Sequence, residues 1–153
     1  MKLQKATCFA LFAVLELAAD PTRQLAAVEI ADKYGISLHH LAKVLRDLAR
    51  AGIVESTRGV GGGYRFIGNP KRLALMDVIE LFEPVESNSI DGEHPRSNTS
   101  VGRSLRLVLN EIDELTLATF RSITISTMLK IVDQRPWMAV AGERKPRKRS
   151  ARG

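Results

Sequence analysis

Residues 37–66, SLHHLAKVLRDLARAGIVESTRGVGGGYRF, decide the fold. Leucine and valine recur there at three- and four-residue steps, which predicts a helix with one buried apolar face. The apolar positions are Leu38, Leu41, Val44, Leu45 and Leu48. Ser37 is expected to cap this helix, because its hydroxyl oxygen can accept from an unpaired backbone N–H. Gly52 is expected to end it, since glycine adopts the left-handed conformation without a Cβ clash.

The opposite face of this helix is polar and basic. It carries His39, His40, Lys43, Arg46 and Arg50. Two β-prone runs, 53–57 and 64–67, flank a glycine-rich segment, which predicts a hairpin with a flexible tip and with Arg58 and Arg65 at its shoulders. Because an α-helix fits the major groove of B-DNA and a thin hairpin reaches the minor groove or the phosphates, the stretch predicts a winged helix-turn-helix.

The residues before position 37 predict two more helices. Apolar residues are so dense between positions 6 and 19 that the first helix should be nearly surrounded by protein. Residues 26–34 predict a second helix with Ile30 and Ala31 facing inward and Gly35 closing it. The short turn to Ser37 has helix-turn-helix spacing. The alternative is an ordinary pair of antiparallel helices in a helical bundle. The β-hairpin that follows favours DNA binding.

Three motifs carry a resemblance to a known family. They are E-I-A-x-x-Y-G-I-S at 29–37, H-L-x-K-V-L-x-x-L-x-x-A-G-I-V at 40–54 and R-G-x-G-G-G-Y at 58–64. Together they resemble the Rrf-two family of bacterial transcription regulators, which includes the iron–sulfur regulators IscR and NsrR and the cluster-free regulator CymR. The resemblance covers about residues 1–84 well and the remainder loosely.

The resemblance implies which residues contact DNA. In the family the first turn of the recognition helix and the wing arginine make these contacts, which indicates Ser37, His39, His40, Lys43 and Arg58 here. Arg46 and Arg65 are further candidates from their places on the helix and the hairpin. Ala42 stands where IscR-like members carry a base-discriminating glutamate, so their operator sequence does not transfer to this chain.

The resemblance also bears on cofactors. Cluster-binding members place three cysteines in the loop after the winged domain, and thiolates are the usual ligands of iron–sulfur clusters. Residues 85–104 contain no cysteine and the chain has one in all, Cys8, so no cofactor and no metal site is expected. A residual hypothesis joins Cys8 to His94 or Glu93 across a dimer. Cys8 is otherwise a small buried apolar residue or a redox-active thiol.

The remaining chain predicts a domain organisation. Residues 1–84 form the DNA-binding domain, including a short helix at 75–82; 85–104 form a flexible loop; 105–135 form a dimerisation helix and a following short helix; 136–153 form a basic disordered tail. The apolar stripe of the long helix is too large for one small domain to cover, which indicates packing on a second copy. The proposed dimerisation residues are Leu105, Val108, Leu109, Ile112, Leu115 and Phe120. An ordinary intrachain helix is the alternative.

The charge distribution fits a protein that binds a polyanion at one end. Residues 1–75 hold eleven basic and six acidic residues (+5), residues 76–142 six and ten (−4), and residues 143–153 six and one (+5). The single cysteine indicates a reducing, cytoplasmic environment. No apolar run reaches the roughly 18 residues of a membrane span, and Glu16 interrupts the N-terminal run that resembles a signal peptide.

These observations predict a mainly α fold with a two-stranded β wing and a long C-terminal helix. The expected function is a homodimeric, sequence-specific repressor on an imperfect palindrome in double-stranded DNA, responding to a small-molecule or protein effector. No nucleophile motif, metal-ligand spacing or general-base constellation supports an enzyme, and the glycine cluster lacks the G-K-[ST] ending of a nucleotide-binding loop. The alternatives are a winged-helix protein-interaction module and a redox- or metal-responsive regulator using Cys8.

Overall fold

The computed structural model describes residues 3–83 and 99–134. The elements in these residues are helices α1 (Lys5–Ala19), α2 (Ala27–Tyr34) and α3 (Leu38–Arg50), strands β1 (Val54–Thr57) and β2 (Gly63–Phe66), and helices α4 (Leu75–Ile79), α5 (Ser100–Ser122) and α6 (Ile125–Gln134). The mainly helical fold with an antiparallel two-stranded wing is the one predicted from the sequence.

Helix α1 supplies the centre of the core. Ala10, Ala13 and Val14 are completely buried, and α3, α4, β2 and α6 all pack against this helix. The expectation that α1 is surrounded on nearly every side is wrong at Phe12, which is 43% exposed and stacks on Tyr34 with 4.9 Å between the ring centroids.

The turn between α2 and α3 has the predicted helix-turn-helix geometry. Gly35 adopts the left-handed conformation (φ 62°), and the Ile36 N–H donates to the Ala31 carbonyl at 2.9 Å. Two local predictions for α3 are wrong. The Ser37 hydroxyl makes no capping hydrogen bond, and Leu38 is 47% exposed. Burial therefore begins one turn into the helix; its buried residues are Leu41, Val44, Leu45 and Leu48.

Glu16 ties α1 to α2 and so holds the helix-turn-helix to the core. Its carboxylate accepts hydrogen bonds from the Tyr34 hydroxyl (2.5 Å) and from Lys33 Nζ (2.7 Å). Burial alone would raise the pKa of Glu16, but these hydrogen bonds and the positive charges of Lys33 and Arg23 outweigh it, so its pKa lies below the ordinary value. Burial and the hydrogen bond to Glu16 raise the pKa of Tyr34, which therefore stays protonated.

Glu16→Gln is expected to lower the free energy of unfolding by about 1–2 kcal/mol at pH 7. Because the pKa of Glu16 is lower in the folded chain than in the unfolded chain, its stabilisation is complete above the unfolded-state pKa and is lost as the pH falls through the folded-state pKa. Urea denaturation at pH 7 and pH 3 should show the two proteins converging in acid. Asp32→Asn, an exposed change on α2, is the control, and a difference that widens toward low pH would contradict the assignment.

The wing is tied to the rest of the domain at its second strand. β1 and β2 pair from Val54 opposite Phe66 to Thr57 opposite Gly63. Beyond this pair, Tyr64 exchanges both backbone hydrogen bonds with Leu25, at 2.8 and 3.0 Å. A Cβ added at Gly63 would lie 2.5 Å from the Leu25 carbonyl oxygen, so a residue without a side chain is needed for this close approach.

The C-terminal helices begin and end differently from the prediction. α4 is shorter than the predicted 75–82, and α5 begins at Ser100, so the assignment of 100–104 to the flexible loop is wrong. The Thr99 hydroxyl oxygen caps α5 by accepting from the Gly102 N–H at 3.0 Å. The rest of the predicted loop, 85–98, and the basic tail, 136–153, lie outside the described residues.

Backbone hydrogen bonds anchor the connection between α5 and α6 to the segment that follows the wing. The Leu75 N–H donates to Ile123 at 2.8 Å and the Ile125 N–H donates to Leu73 at 2.9 Å, forming a β-bridge between Ala74 and Thr124. Ile125 is completely buried, and α6 folds back on α1. None of the helices in the part of the chain that the structure describes combines the length and apolar character needed to span a bilayer.

Candidate nucleic-acid interface

The outer face of α3 carries most of the proposed DNA contacts. Exposed polar and basic side chains lie at the N-cap, Ser37, and along the solvent-facing side of the helix: His39, His40, Lys43 and Arg46. The two imidazole rings are 5.9 Å apart at their centroids. The amphipathic pattern of the sequence therefore places these residues together on one solvent-facing surface.

Three of the proposed contact residues are cations available to an anionic partner. Within residues 3–83 and 99–134, no carboxylate forms an ion pair with Lys43, Arg46 or Arg58. Arg50, further along α3, lies 3.6 Å from Asp47 and is partly neutralised. Within the proposed contact set, the unpaired positive charges are therefore on α3 and on the wing, where they can contact phosphates.

The wing presents Arg58 beside an open tip. Arg58 is exposed at the end of β1, and Val60 at the tip is fully exposed. The Gly62 N–H donates to Gly59 at 3.0 Å, which closes a tight turn. A Cβ at Gly62 would lie 2.3 Å from the Thr57 carbonyl oxygen. Backbone packing therefore requires glycine at position 62, and the positive φ angles of Gly59 (99°) and Gly61 (75°) favour glycine there, which explains the glycine cluster without a bound phosphate.

Arg65 differs from the other proposed contact residues, because it is already paired. Its guanidinium forms an ion pair with Glu55, directly opposite on the neighbouring strand. This ion pair was not predicted from the sequence, although both residues lie in the stretch 37–66. Of the seven proposed contact residues, Arg65 is thus the one whose charge is compensated within the wing.

Helix α5 carries an exposed apolar stripe. Leu105, Val108, Ile112 and Leu115 are each more than half exposed and Leu109 is half-buried. Phe120 is different, because it packs against the core of its own chain and does not belong to the stripe. α5 is therefore attached to the domain near its C-terminal end, and its N-terminal part carries the uncovered apolar surface.

Val101 extends the stripe and was missed, because residues 85–104 were assigned to a loop. It is 75% exposed. Its position four residues before Leu105 continues the alternating four- and three-residue spacing of 101, 105, 108, 112 and 115, which is the a/d pattern of a coiled coil. This spacing is the feature of the sequence from which Val101 could have been assigned to the stripe. We define the apolar stripe as these five positions.

Cys8 is partly buried in α1 and has no disulfide partner. Its proposed metal partners, Glu93 and His94, lie outside the described residues. Among the residues that the structure describes, no three His, Cys, Asp or Glu side chains come close enough together to hold a metal ion. The chain supplies a single thiol, so its donor set does not fit a cluster held by several cysteines.

Comparison with known proteins gives related regulators. Residues 3–131 match the Rrf2 family, described as iron-dependent transcriptional regulators. The HTH-type transcriptional regulator BadM of Rhodopseudomonas palustris is 54% identical over 134 residues, which cover 87% of this chain and 84% of BadM.

Two solved structures share the fold. CymR, the global cysteine regulator of B. subtilis, has a TM-score of 0.70 at 24% identity, with 86% of this chain and 98% of CymR covered. IscR of T. potens has a TM-score of 0.69 at 23% identity, with 95% and 94% covered. These likenesses confirm the winged helix-turn-helix with its long C-terminal helix.

The family match spans most of the chain and includes the three motifs at 29–37, 40–54 and 58–64. The resemblance stated from the sequence is thus confirmed, and the protein belongs to the Rrf2 family of DNA-binding transcriptional regulators.

Proposed function

We propose that this protein is a cytoplasmic repressor that binds an imperfect palindrome as a homodimer. The observation that carries the proposal is the pairing of two surfaces on one chain: a basic helix face with an adjoining wing, and an apolar stripe that no described residue covers. Two-fold packing of the stripes would present two copies of α3, which is how regulators with one helix-turn-helix per chain read successive major grooves.

Each proposed contact has a specific role. The N-terminal turn of α3, with Ser37, His39 and His40, would face base edges, because recognition helices enter the major groove by their first residues. Lys43 and Arg46 would contact phosphates, and Arg58 would lie in or beside the minor groove. Ala42 has no carboxylate that could accept a hydrogen bond from a cytosine amino group. Preference for the base facing this position would therefore depend on the neighbouring side chains.

Arg58→Ala is expected to weaken DNA affinity about tenfold and to reduce the slope of log affinity against log salt by about one. Arg58 is exposed and unpaired among the described residues, so its removal should leave the thermal midpoint of unfolding unchanged. Fluorescence anisotropy on a duplex selected by the protein from a random library would measure both quantities.

Lys71→Ala, which removes an exposed cation outside α3 and the wing, is the matched control and should leave affinity nearly unchanged. Parallel loss of affinity and stability in Arg58→Ala would overturn the contact role. A wild-type affinity that does not depend on salt would favour the protein-interaction alternative, because phosphate contacts release counterions.

A further inference from the structure

A pocket of about 530 Å³ lies between α1, α3 and the turn after α4. Its volume is within the range of pockets that bind small molecules. The lining residues are Lys5, Ala6, Phe9, His40, Lys43, Val44, Asp47, Leu81 and Phe82. It therefore adjoins the proposed DNA-contact face, with which it shares His40 and Lys43.

The floor of the pocket is apolar. Phe9 and Phe82 are partly buried and pack against the core, and Val44 is buried between α1 and α3. Ala6 leaves space because its side chain is a single methyl group, and Leu81 is 44% exposed at one wall. An entirely polar ligand would leave these apolar groups without contacts, so the floor favours a ligand with an apolar body.

The rim of the pocket is cationic. Lys5 and Lys43 are exposed and form no ion pair within the described part of the chain, and His40 adds an imidazole N–H donor. The one carboxylate in the lining, Asp47, lies 3.6 Å from the Arg50 guanidinium and is already partnered. A neutral apolar ligand would cover these ammonium groups without compensation, so the rim favours an anion.

We propose that the pocket binds a small organic acid, one carboxylate on an apolar body, and that the bound acid weakens DNA binding. The carboxylate is held by Lys5, Lys43 and His40, and the body lies on Phe9 and Phe82. Because Lys43 and His40 are then occupied, α3 loses two of its contacts to DNA. This regulatory effect rests on the proposed function, whereas binding of the acid does not.

Binding is tested by fluorescence titration with 8-anilinonaphthalene-1-sulfonate, an apolar anion. An uncovered apolar stripe would also bind this dye, so the measured quantity is the loss of dye fluorescence when octanoate is added. Octanamide, which has the same chain without the charge, is the ligand control and should displace little. Lys5→Glu is expected to weaken octanoate binding about tenfold by replacing an attractive charge with a repulsive one. Lys130→Glu, the same exposed charge change on α6, should not.

Ala6→Trp fills the pocket with a large side chain and should abolish displacement. Since Lys5 is exposed, Lys5→Glu is expected to fold normally even if Ala6→Trp does not. Equal displacement by octanamide and octanoate, or unchanged binding by Lys5→Glu, would overturn the proposal. Displacement seen in a monomeric variant but not in the wild-type protein would assign the pocket to a contact between two copies, which also overturns it.

The effect on DNA is measured with the selected duplex. Octanoate at saturation is expected to raise the dissociation constant of the wild-type complex at least about fivefold. Lys5→Glu should bind the duplex but lose the response, because Lys5 is outside the proposed DNA contacts. Octanoate binding with unchanged DNA affinity would refute the regulatory role. If the protein binds octanoate but binds no duplex, the proposed function is refuted. The assignment of the pocket as an organic-acid site would then still stand.

Discussion

Ile112→Glu is expected to convert the protein from a dimer to a monomer and to lower its DNA affinity at least about 100-fold. Ile112 lies in the C-terminal half of the apolar stripe and is 52% exposed in the single chain. Two-fold packing would bury it, and an unpaired carboxylate in an apolar interface costs several kcal/mol. A monomer loses the gain from engaging two half-sites at once. Sedimentation velocity and anisotropy titration would measure the two effects.

Asn110→Glu is the matched control for this change. It introduces the same carboxylate on α5, at an exposed position outside the stripe. It should therefore leave both the dimer and the DNA affinity intact. The stripe runs over about 21 Å of helix from Val101 to Leu115, enough for two full heptads of contacts. A dimer that persists in Ile112→Glu would show that the stripe is not the interface.

Gly63→Ala is expected to lower the free energy of unfolding by about 2–3 kcal/mol and the thermal midpoint by roughly 5–10 °C. The added Cβ would lie 2.5 Å from the Leu25 carbonyl oxygen and 2.8 Å from its carbon. Both are backbone atoms and cannot rotate away as a flexible side chain could. The Leu25–Tyr64 bridge must therefore open, which displaces the wing and should also weaken DNA binding.

Val60→Ala is the control for the wing, because Val60 is fully exposed at the tip and its truncation removes no packing contact. Its thermal midpoint should equal that of the wild-type protein. Differential scanning calorimetry of the three proteins would separate the steric effect from a general sensitivity of the wing. A Gly63→Ala protein as stable as the wild type would mean that the bridge contributes little to the fold.

Regular periodicity made α3 predictable, and its limits are visible at the helix ends. The three- and four-residue spacing gave the direction of the buried face correctly from Leu41 to Leu48. It could not show how far along the helix the covering residues extend, so Leu38 was expected to be buried. The same holds for α5, where a polar composition concealed that Thr99 caps a helix that begins at Ser100.

Contacts between segments that are far apart in the chain were harder to predict from the sequence. Pairing of Glu55 with Arg65 depends on the strand register, which a six-residue glycine-rich connection leaves open. The pocket requires Lys5, Lys43 and Phe82 to converge from α1, α3 and the turn after α4, and nothing in their spacing indicates this. Gly63 was recognised as part of a hairpin, but its close approach to Leu25 appears only in the folded chain.

The β-bridge between Ala74 and Thr124 has a consequence for the operator. Hydrogen bonds from Leu75 and Ile125 join the end of α5 directly to the winged domain. A dimer built on α5 would therefore hold its two copies of α3 at a fixed separation and a fixed angle. One base pair added to the spacer rotates the second half-site by about 35° around the duplex axis. Synthetic operators whose spacer is lengthened or shortened by one base pair should therefore bind poorly, even with both half-sites unchanged.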